Sequence, residues 1–286
     1  MSVTIAKNAG FCFGVSRAVD TVEQAAAQGG NVATLGPIIH NRHAVSRFEE
    51  MGVGVIEKPE DAKDGQTVII RSHGVTKAVF DTLKEKNVEV IDATCPFVKR
   101  IHGIVEKASE EGRLPIIIGT PTHPEVEGIA GWCKACKVFA SPEELVDWVN
   151  SDESHRDLPI CMVCQTTSTE SLWKMCAKIA KKQFTNLKIF DTICKATESR
   201  QSEAAKLSSI CQAMVVVGDI HSSNTGRLAM ICREHCGKVV LVDNASELDP
   251  AFFHGVREVG VTAGASTPAW IIKEVNKTMS EITKVE

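Results

Sequence analysis

The chain has no apolar run that approaches the roughly 20 residues needed to cross a bilayer. Its N-terminus, Met1-Ser2-Val3-Thr4, lacks the basic segment and following apolar segment that are typical of a signal peptide. It also lacks a run of Lys or Arg that would suggest a nucleic-acid footprint, and 32 basic against 36 acidic side chains give a formal charge of −4. We therefore expect a cytoplasmic protein that binds neither a membrane nor nucleic acid.

A strand followed by Gly-x-Gly-x-x-Gly, the fingerprint of a dinucleotide-binding fold, is also missing from the 286 residues. Cysteine, by contrast, is plentiful, with 11 residues. Because disulfides are rare in the cytoplasm, this number argues against a disulfide framework and favours metal or thiol chemistry.

Three cysteines each begin the same stretch of chain. A helical segment follows each of them, then a strand that ends in glycine 24 residues after the cysteine, then a His or Ser 28 residues after it. The three sets are Cys12, Gly36 and His40; Cys95, Gly119 and His123; and Cys194, Gly218 and Ser222. Internal repetition at this long period predicts three structural units related by a pseudo-threefold axis.

Apolar runs of strand length alternate with segments of helical period along the chain, which indicates βαβ units with parallel sheets. We predict an α/β fold of three such units, over residues 14–95, 96–193 and 194–286. The third unit has no closing strand after its last helix. The N-terminal segment, residues 1–13, resembles the strands before Cys95 and Cys194, and we expect it to complete that unit.

Each repeated cysteine is predicted at the point where a strand meets a helix. The free N–H groups and positive dipole end of a helix N-terminus favour a thiolate there. Thiolates from three such places are typical of iron–sulfur or zinc sites, and three thiolates leave one iron of a 4Fe-4S cluster open to substrate. The other cysteines are expected to pack in the core, and Cys133-Lys134-Ala135-Cys136 is the pair for which this expectation is least secure.

Polar residues follow the predicted strands at their carboxyl ends, where parallel sheets bind ligands. Three histidines occur there, and hydroxyl and amide residues take their place in the third unit. Together they are typical of an anion site, although the segment 218–226 could also simply cap a helix that we predict to start near Arg227. The residues are His40, His73, His123, Ser222, Ser223, Asn224 and Ser266.

Two carboxylates, Glu125 and Glu127, follow His123 at the end of a strand in the second unit. One of them is a candidate general acid, and the other a solvated residue at the start of a helix. The pattern barely separates the two, and adjacency to His123 favours Glu125.

Taken in order, these motifs resemble those of the 4-hydroxy-3-methylbut-2-enyl diphosphate reductase family, also called IspH or LytB, over nearly the whole chain. The segments that carry the resemblance are Gly10-Phe11-Cys12-Phe13-Gly14-Val15, Ile39-His40-Asn41, Ser72-His73-Gly74-Val75, Asp92-Ala93-Thr94-Cys95-Pro96, His123-Pro124-Glu125-Val126-Glu127-Gly128, Gln165-Thr166-Thr167, Ile193-Cys194-Lys195-Ala196-Thr197, Ser222-Ser223-Asn224 and Thr262-Ala263-Gly264-Ala265-Ser266.

The resemblance implies a trefoil of three α/β units around a central 4Fe-4S cluster, one per chain, held by Cys12, Cys95 and Cys194. It implies that Glu125 donates a proton and that the substrate, an allylic diphosphate, loses its hydroxyl group by reduction. An electron donor such as ferredoxin or flavodoxin would supply the electrons, and we expect a monomer. The implied diphosphate ligands are His40, His73, His123, Thr166, Ser222, Ser223, Asn224 and Ser266.

Three positions depart from the family pattern. Thr120 replaces a histidine, Lys195 replaces a tyrosine, and Asp219-Ile220-His221 replaces a Gly/Lys/Asn-like stretch. These departures affect the expected edge of the pocket rather than the reaction.

Two other functions fit part of the pattern. A non-redox 4Fe-4S lyase such as quinolinate synthase also combines three related units with one cysteine each, and it would need no reductant. An iron–sulfur sensor or scaffold would leave Glu125 and the anion-binding residues unexplained.

Overall fold

The computed structural model describes residues 1–285, in which strands and helices alternate along the chain. The helices are α1 (Phe13–Ala27), α2 (Arg42–Glu50), α3 (Lys77–Glu85), α4 (Pro96–Glu110), α5 (Pro124–Ala130), α6 (Pro142–Ser151), α7 (Glu170–Gln183), α8 (Lys195–Ile210), α9 (Ser223–His235) and α10 (Ala269–Val285). Short 3-10 helices occur at Pro59–Asp61, Glu153–Asp157, Ala245–Glu247 and Pro250–Phe253.

The strands form three sheets of four parallel strands each, and all three sheets have the same strand order. The strands are β1 (Ser2–Ile5), β2 (Val32–Leu35), β3 (Gly54–Ile56), β4 (Thr67–Ile70), β5 (Glu89–Asp92), β6 (Leu114–Ile118), β7 (Lys137–Phe139), β8 (Ile160–Cys164), β9 (Leu187–Ile189), β10 (Ala213–Val217), β11 (Val239–Val242) and β12 (Glu258–Ala263). The orders are β3-β2-β4-β5, β7-β6-β8-β9 and β11-β10-β12-β1.

The N-terminal strand takes the place in its sheet that β5 and β9 take in theirs. It runs parallel to β12, with Ser2 opposite Glu258 and Ile5 opposite Val261. The third sheet therefore reaches four strands only by recruiting the first strand of the chain.

The central strands are buried on both faces, as parallel sheets require. Along β10, Met214 and Val216 pack into one apolar cluster, and Val215 and Val217 pack into another on the opposite face. This explains why these strands are rich in apolar residues on both faces rather than alternating.

The described residues divide into two compact units. One contains residues 1–16, 39–47 and the chain from Lys195 onward, with the sheet of β1, β10, β11 and β12; the other contains residues 17–38 and 48–194, with the remaining two sheets. The prediction of an α/β fold of three parallel-sheet units is confirmed. The boundaries at 14–95, 96–193 and 194–286 remain a prediction, and Glu286 lies outside the described residues.

Candidate active site

The three repeated cysteines have the same local structure. Each is the residue directly before a helix, and the backbone N–H of each donates a hydrogen bond to the carbonyl two residues past the end of a strand. Cys12 precedes α1 and donates to Ala265 at 3.2 Å, Cys95 precedes α4 and donates to Ser72 at 2.9 Å, and Cys194 precedes α8 and donates to Thr166 at 3.0 Å. All three side chains are half-buried. Each of the three thiols is therefore placed at the N-terminus of a helix and held there by the backbone of a strand end.

Two arginines that the sequence analysis missed hold the segments before the cysteines. Arg17, on α1, donates to the carbonyls of Asp92 and Thr94, both at 3.1 Å, just before Cys95. Arg200, on α8, donates to the carbonyl of Gly10 at 2.6 Å, just before Cys12. The only sequence signal would have been an arginine within two turns of a repeated cysteine.

Most of the remaining cysteines are core residues. Cys161 and Cys164 lie in the buried strand β8, where burial raises the pKa of their thiols to about 11 and about 12. Burial likewise raises the pKa of Cys176 to about 11 and that of Cys232 to about 12. Neutral thiols of this kind pack as small apolar side chains, so the prediction of core packing is confirmed for these four.

Within the second compact unit, a histidine pair lies close to the start of α5. The rings of His73 and His123 are 5.6 Å apart, edge to face. His123 caps α5, because its Nδ1 accepts a hydrogen bond of 3.1 Å from the backbone N–H of Glu125. A ring that accepts at Nδ1 carries its proton on Nε2, so His123 presents an N–H donor on its other side.

Glu125 is buried, with 2% of its surface exposed, whereas Glu127 on the same helix is exposed. Thr166 contacts the Glu125 carboxylate twice. Its backbone N–H donates to Oε1 at 2.6 Å, and its hydroxyl donates to Oε2 at 2.7 Å. Because the carbonyl of Thr166 also accepts the N–H of Cys194, one residue joins the candidate acid to a candidate cluster ligand.

His102 is a buried residue of this region that the sequence did not single out. His102 is 4% exposed and stacks on Trp132, with 5.1 Å between ring centroids. A side chain at Gly74 would collide with it, since an ideal Cβ there would lie 2.6 Å from His102 Cε1. Gly74 also has a φ of +75°, so glycine is required twice over in the turn after His73.

In the first compact unit, Ser222 caps α9 and accepts the backbone N–H of Thr225 at 3.4 Å. The prediction that this helix starts near Arg227 is wrong, because the Ser222 cap lets it start at Ser223. The anion-binding candidates Ser223 and Asn224 are therefore in its first turn, where backbone N–H groups lack helical partners.

Ser266 lies beside the same helix start. Its hydroxyl donates to the carbonyl of His40 at 2.9 Å and lies 3.4 Å from the hydroxyl of Ser222. Asn224 is 4% exposed, and neither its Nδ2 nor its Oδ1 has a hydrogen-bond partner among residues 1–285. A buried amide in that state is costly to the fold unless it serves a ligand.

The residues that depart from the family pattern have local structural roles. The backbone N–H of Thr120 donates to the Gln165 side chain at 3.1 Å. The carboxylate of Asp219 accepts the N–H of His221 at 2.8 Å and that of Arg42 at 3.3 Å, which orders the loop before α9. Lys195 is the first residue of α8.

No helix in the part of the chain that the structure describes has the length and apolar character needed to cross a membrane.

Comparison with known proteins gives a consistent result. The family described as LytB protein matches residues 3–280. A 4-hydroxy-3-methylbut-2-enyl diphosphate reductase from Alkaliphilus oremlandii (strain OhILAs) is 42% identical over 282 residues, covering 96% of this chain and 98% of that protein. The enzyme of the same name from Geobacter metallireducens is 42% identical over 286 residues, covering 99% and 98%.

Two solved structures are similar over nearly the whole chain. One is (E)-4-hydroxy-3-methyl-but-2-enyl diphosphate reductase, described as the terminal enzyme of the non-mevalonate pathway, with 38% identity, a TM-score of 0.72, and coverage of 98% of this chain and 100% of that one. The other is the E-1-hydroxy-2-methyl-but-2-enyl-4-diphosphate reductase from Plasmodium falciparum, with 28% identity, a TM-score of 0.90, and coverage of 98% and 87%.

Proposed function

The chain belongs to the LytB family, and on that premise we propose that it reduces (E)-4-hydroxy-3-methylbut-2-enyl diphosphate to isopentenyl and dimethylallyl diphosphate. The overall change consumes two electrons and two protons and releases the allylic hydroxyl as water. The observation that carries this proposal is the connection from Glu125 through Thr166 to Cys194, because it joins a buried acid to a thiol at a helix N-terminus.

The donor set fits a 4Fe-4S cluster. Cys12, Cys95 and Cys194 would hold it, since each is a half-buried thiol directly before a helix, and three thiolates leave one iron without a protein ligand. When bound, such a cluster supplies electrons and a Lewis-acidic iron for the hydroxyl group of the substrate.

Glu125 would act as the proton donor. Its Oε1 is committed as an acceptor by the backbone N–H of Thr166, so the transferable proton must be carried on Oε2. The Thr166 hydroxyl contacts that same atom. Since a hydroxyl can both donate and accept, it can stabilise the carboxylate as a donor and the carboxylic acid as an acceptor, which keeps Glu125 in place in both protonation states.

The diphosphate group would be bound by hydrogen-bond donors at the ends of strands. His123 offers its Nε2–H, and α9 offers backbone N–H groups of its first turn together with the Asn224 amide. The full proposed set is His40, His73, His123, Thr166, Ser222, Ser223, Asn224 and Ser266.

Electrons would come from a separate protein such as ferredoxin or flavodoxin. We also propose that the enzyme is a monomer and that it acts in the cytoplasm. We also propose that the functional repeats are residues 14–95, 96–193 and 194–286, with residues 1–13 completing the third.

The metal assignment is tested by replacing the three cysteines. Cys12→Ser, Cys95→Ser and Cys194→Ser should each lose most of their bound iron and sulfide, and all conversion of the diphosphate substrate under anaerobic conditions with an artificial electron donor. The matched control is Cys211→Ser, a half-buried thiol whose pKa is raised by burial, and it should keep both.

Full iron content in the Cys194→Ser protein would refute the three-thiolate assignment. An iron-loaded wild-type protein that leaves the diphosphate unreduced would refute the proposed reaction.

A further inference from the structure

Cys133 and Cys136 differ from the core cysteines in where they lie. They are in the turn between α5 (Pro124–Ala130) and β7 (Lys137–Phe139), both are half-buried, and the two residues between them are exposed. The Cys133 thiol also donates to the carbonyl of Ala130 at 3.3 Å, which fixes the first sulfur against the end of the helix. Reagents in solution can therefore approach this turn.

The two thiols interact with each other and are not equivalent. The side-chain interaction with Cys133 lowers the pKa of the Cys136 thiol to about 7, with burial opposing this and the positive charge of Lys137 assisting it. The interaction with Cys136, together with burial, raises the pKa of Cys133, whose thiol proton is donated to Ala130. Cys161, in the strand behind them, has its pKa raised to about 11 by burial.

We propose that Cys133 and Cys136 form a reactive dithiol that undergoes exchange with low-molecular-weight disulfides, with Cys136 as the attacking sulfur and Cys133 as the resolving sulfur. The observations that carry it are the C-x-x-C spacing in a turn whose two middle residues are exposed, and the Cys133 thiol proton held by the Ala130 carbonyl, which leaves Cys136 as the sulfur free to attack. Two cysteines separated by two residues in one turn are spaced as in the C-x-x-C motifs of thiol–disulfide exchange.

The reaction is balanced without any further reagent. The Cys136 thiolate attacks one sulfur of the small disulfide, so that a mixed disulfide forms and one small thiolate leaves. Cys133 then loses its proton and attacks Cys136 Sγ, so that the second small thiolate leaves. Each small thiolate takes one of the two protons that the cysteines gave up, the dithiol is oxidised to a disulfide, and the small disulfide is reduced to two thiols.

This site is separate from the proposed reduction of the diphosphate, because it uses none of Cys12, Cys95, Cys194 or Glu125. Thiol exchange at this site can be measured without a turnover assay. Failure of the dithiol proposal would therefore not contradict the proposed reduction of the diphosphate, and failure of the latter would not contradict the former.

The first test uses the wild-type protein with its metal, under anaerobic conditions, with iodoacetamide and peptide mass spectrometry. Cys136 should be alkylated about 30-fold faster than Cys161 at pH 7.5, since the larger thiolate fraction outweighs the lower intrinsic nucleophilicity of a less basic thiolate. Its rate should reach half of its maximum near pH 7. Equal alkylation rates at Cys136 and Cys161, or faster alkylation of Cys133 than of Cys136, would overturn the proposal.

The second test adds oxidised glutathione. The wild-type protein should form the Cys133–Cys136 disulfide, Cys133→Ser should stop at a glutathione adduct on Cys136, and Cys136→Ser should form neither product. Cys211→Ser is the control and should behave as the wild type does. Absence of the disulfide from the wild-type protein at every ratio of oxidised to reduced glutathione would refute the proposal, whatever the variants do.

Discussion

The starts of α5 and α9 have the same local structure but carry different side chains. The helices follow β6 and β10, which hold the same place in their sheets; His123 caps one helix and Ser222 caps the other, and the second residue after each cap is buried. That residue is a carboxylate at α5, Glu125, and an amide at α9, Asn224. The carboxylate receives two hydrogen bonds from Thr166, whereas neither polar atom of the amide has a partner in the described chain.

The difference teaches which chemistry each repeat can supply. An acid held by fixed donors can carry and release a proton, but its charge repels a diphosphate. An amide with an unused N–H group can bind an anion, but it cannot give up a proton at neutral pH. We therefore propose that the same backbone position serves proton transfer in one repeat and anion binding in the other.

The largest effect is expected when the acid of α5 is made to resemble the amide of α9. Glu125→Gln keeps the size of the side chain and an oxygen that can accept the Thr166 N–H, but it removes the transferable proton. Turnover should fall by about 10² to 10⁴, the usual contribution of a positioned general acid, while bound iron is unchanged.

The measurement is anaerobic steady-state reduction of the diphosphate substrate with an artificial electron donor. The matched control, Glu127→Gln, is exposed on the same helix and should change the stability of the helix by only about 0.3–1 kcal/mol through the helix dipole. If the Glu127 variant is the slow one, the assignment of the acid is wrong.

The next effect comes from removing the amide of α9. Asn224→Leu keeps the branched skeleton of the side chain and cannot bind an anion, so affinity for the diphosphate substrate should fall by about 10- to 150-fold, equivalent to the loss of a hydrogen bond of about 1.5–3 kcal/mol to a charged group. The same variant should raise the free energy of unfolding by about 1–3 kcal/mol, because it removes a buried amide without a protein partner.

Equilibrium binding and urea unfolding measure the two quantities separately. A variant that is less stable but binds normally would show that Asn224 has a structural role. The polar residues at the start of α9 would then cap the helix without binding the diphosphate.

A moderate effect is expected from the imidazole that packs behind the α5 region. Burial, with the positive charge of Lys99 assisting and Asp92 opposing, lowers the pKa of His102 from 6.5 to about 4. Between pH 6.5 and 4, His102 is therefore mostly protonated in the unfolded chain and mostly neutral in the folded chain. Stability is retained above pH 6.5 and is lost as the pH falls towards 4, by about 2 kcal/mol between pH 7.5 and pH 5.

Urea unfolding at a series of pH values tests this, with His102→Gln as the variant that does not titrate. The slope of unfolding free energy against pH should be smaller in the variant over that range. Identical slopes in the two proteins would contradict a buried neutral imidazole at this position.

The smallest effect is expected at Ser266. Its hydroxyl proton is already donated to the His40 carbonyl, and the Ser222 hydroxyl lies 3.4 Å away. Ser266→Ala should therefore weaken binding of the diphosphate substrate by no more than about 1 kcal/mol, the value of an ordinary hydrogen bond. A loss as large as that expected for Asn224→Leu would show that Ser266 contacts the diphosphate directly.

The repeated spacing predicted the parallel sheets and the helix that follows each of Cys12, Cys95 and Cys194, because both depend on local patterns of apolar residues and on chain length. The start of α9 was predicted four residues too late, because the run from Ser222 to Gly226 has the composition of a loop and only the observed cap shows that it is helical. The pattern barely separated Glu125 from Glu127 as the acid, since both lie in the same first turn, and only adjacency to His123 favoured Glu125.

Amino-acid order alone determined the threefold repetition, the class of fold and the residues that each repeat offers at the ends of its strands. Tertiary structure decided which of those residues are buried and what they contact: Thr166 is 41 residues from Glu125 in the chain and yet donates to both of its oxygens, and His102 lies beside Gly74, which comes 28 residues before it. The physical reason is that the hydrogen-bond partners and burial of a side chain depend on segments brought together by packing, which periodicity along the chain does not encode.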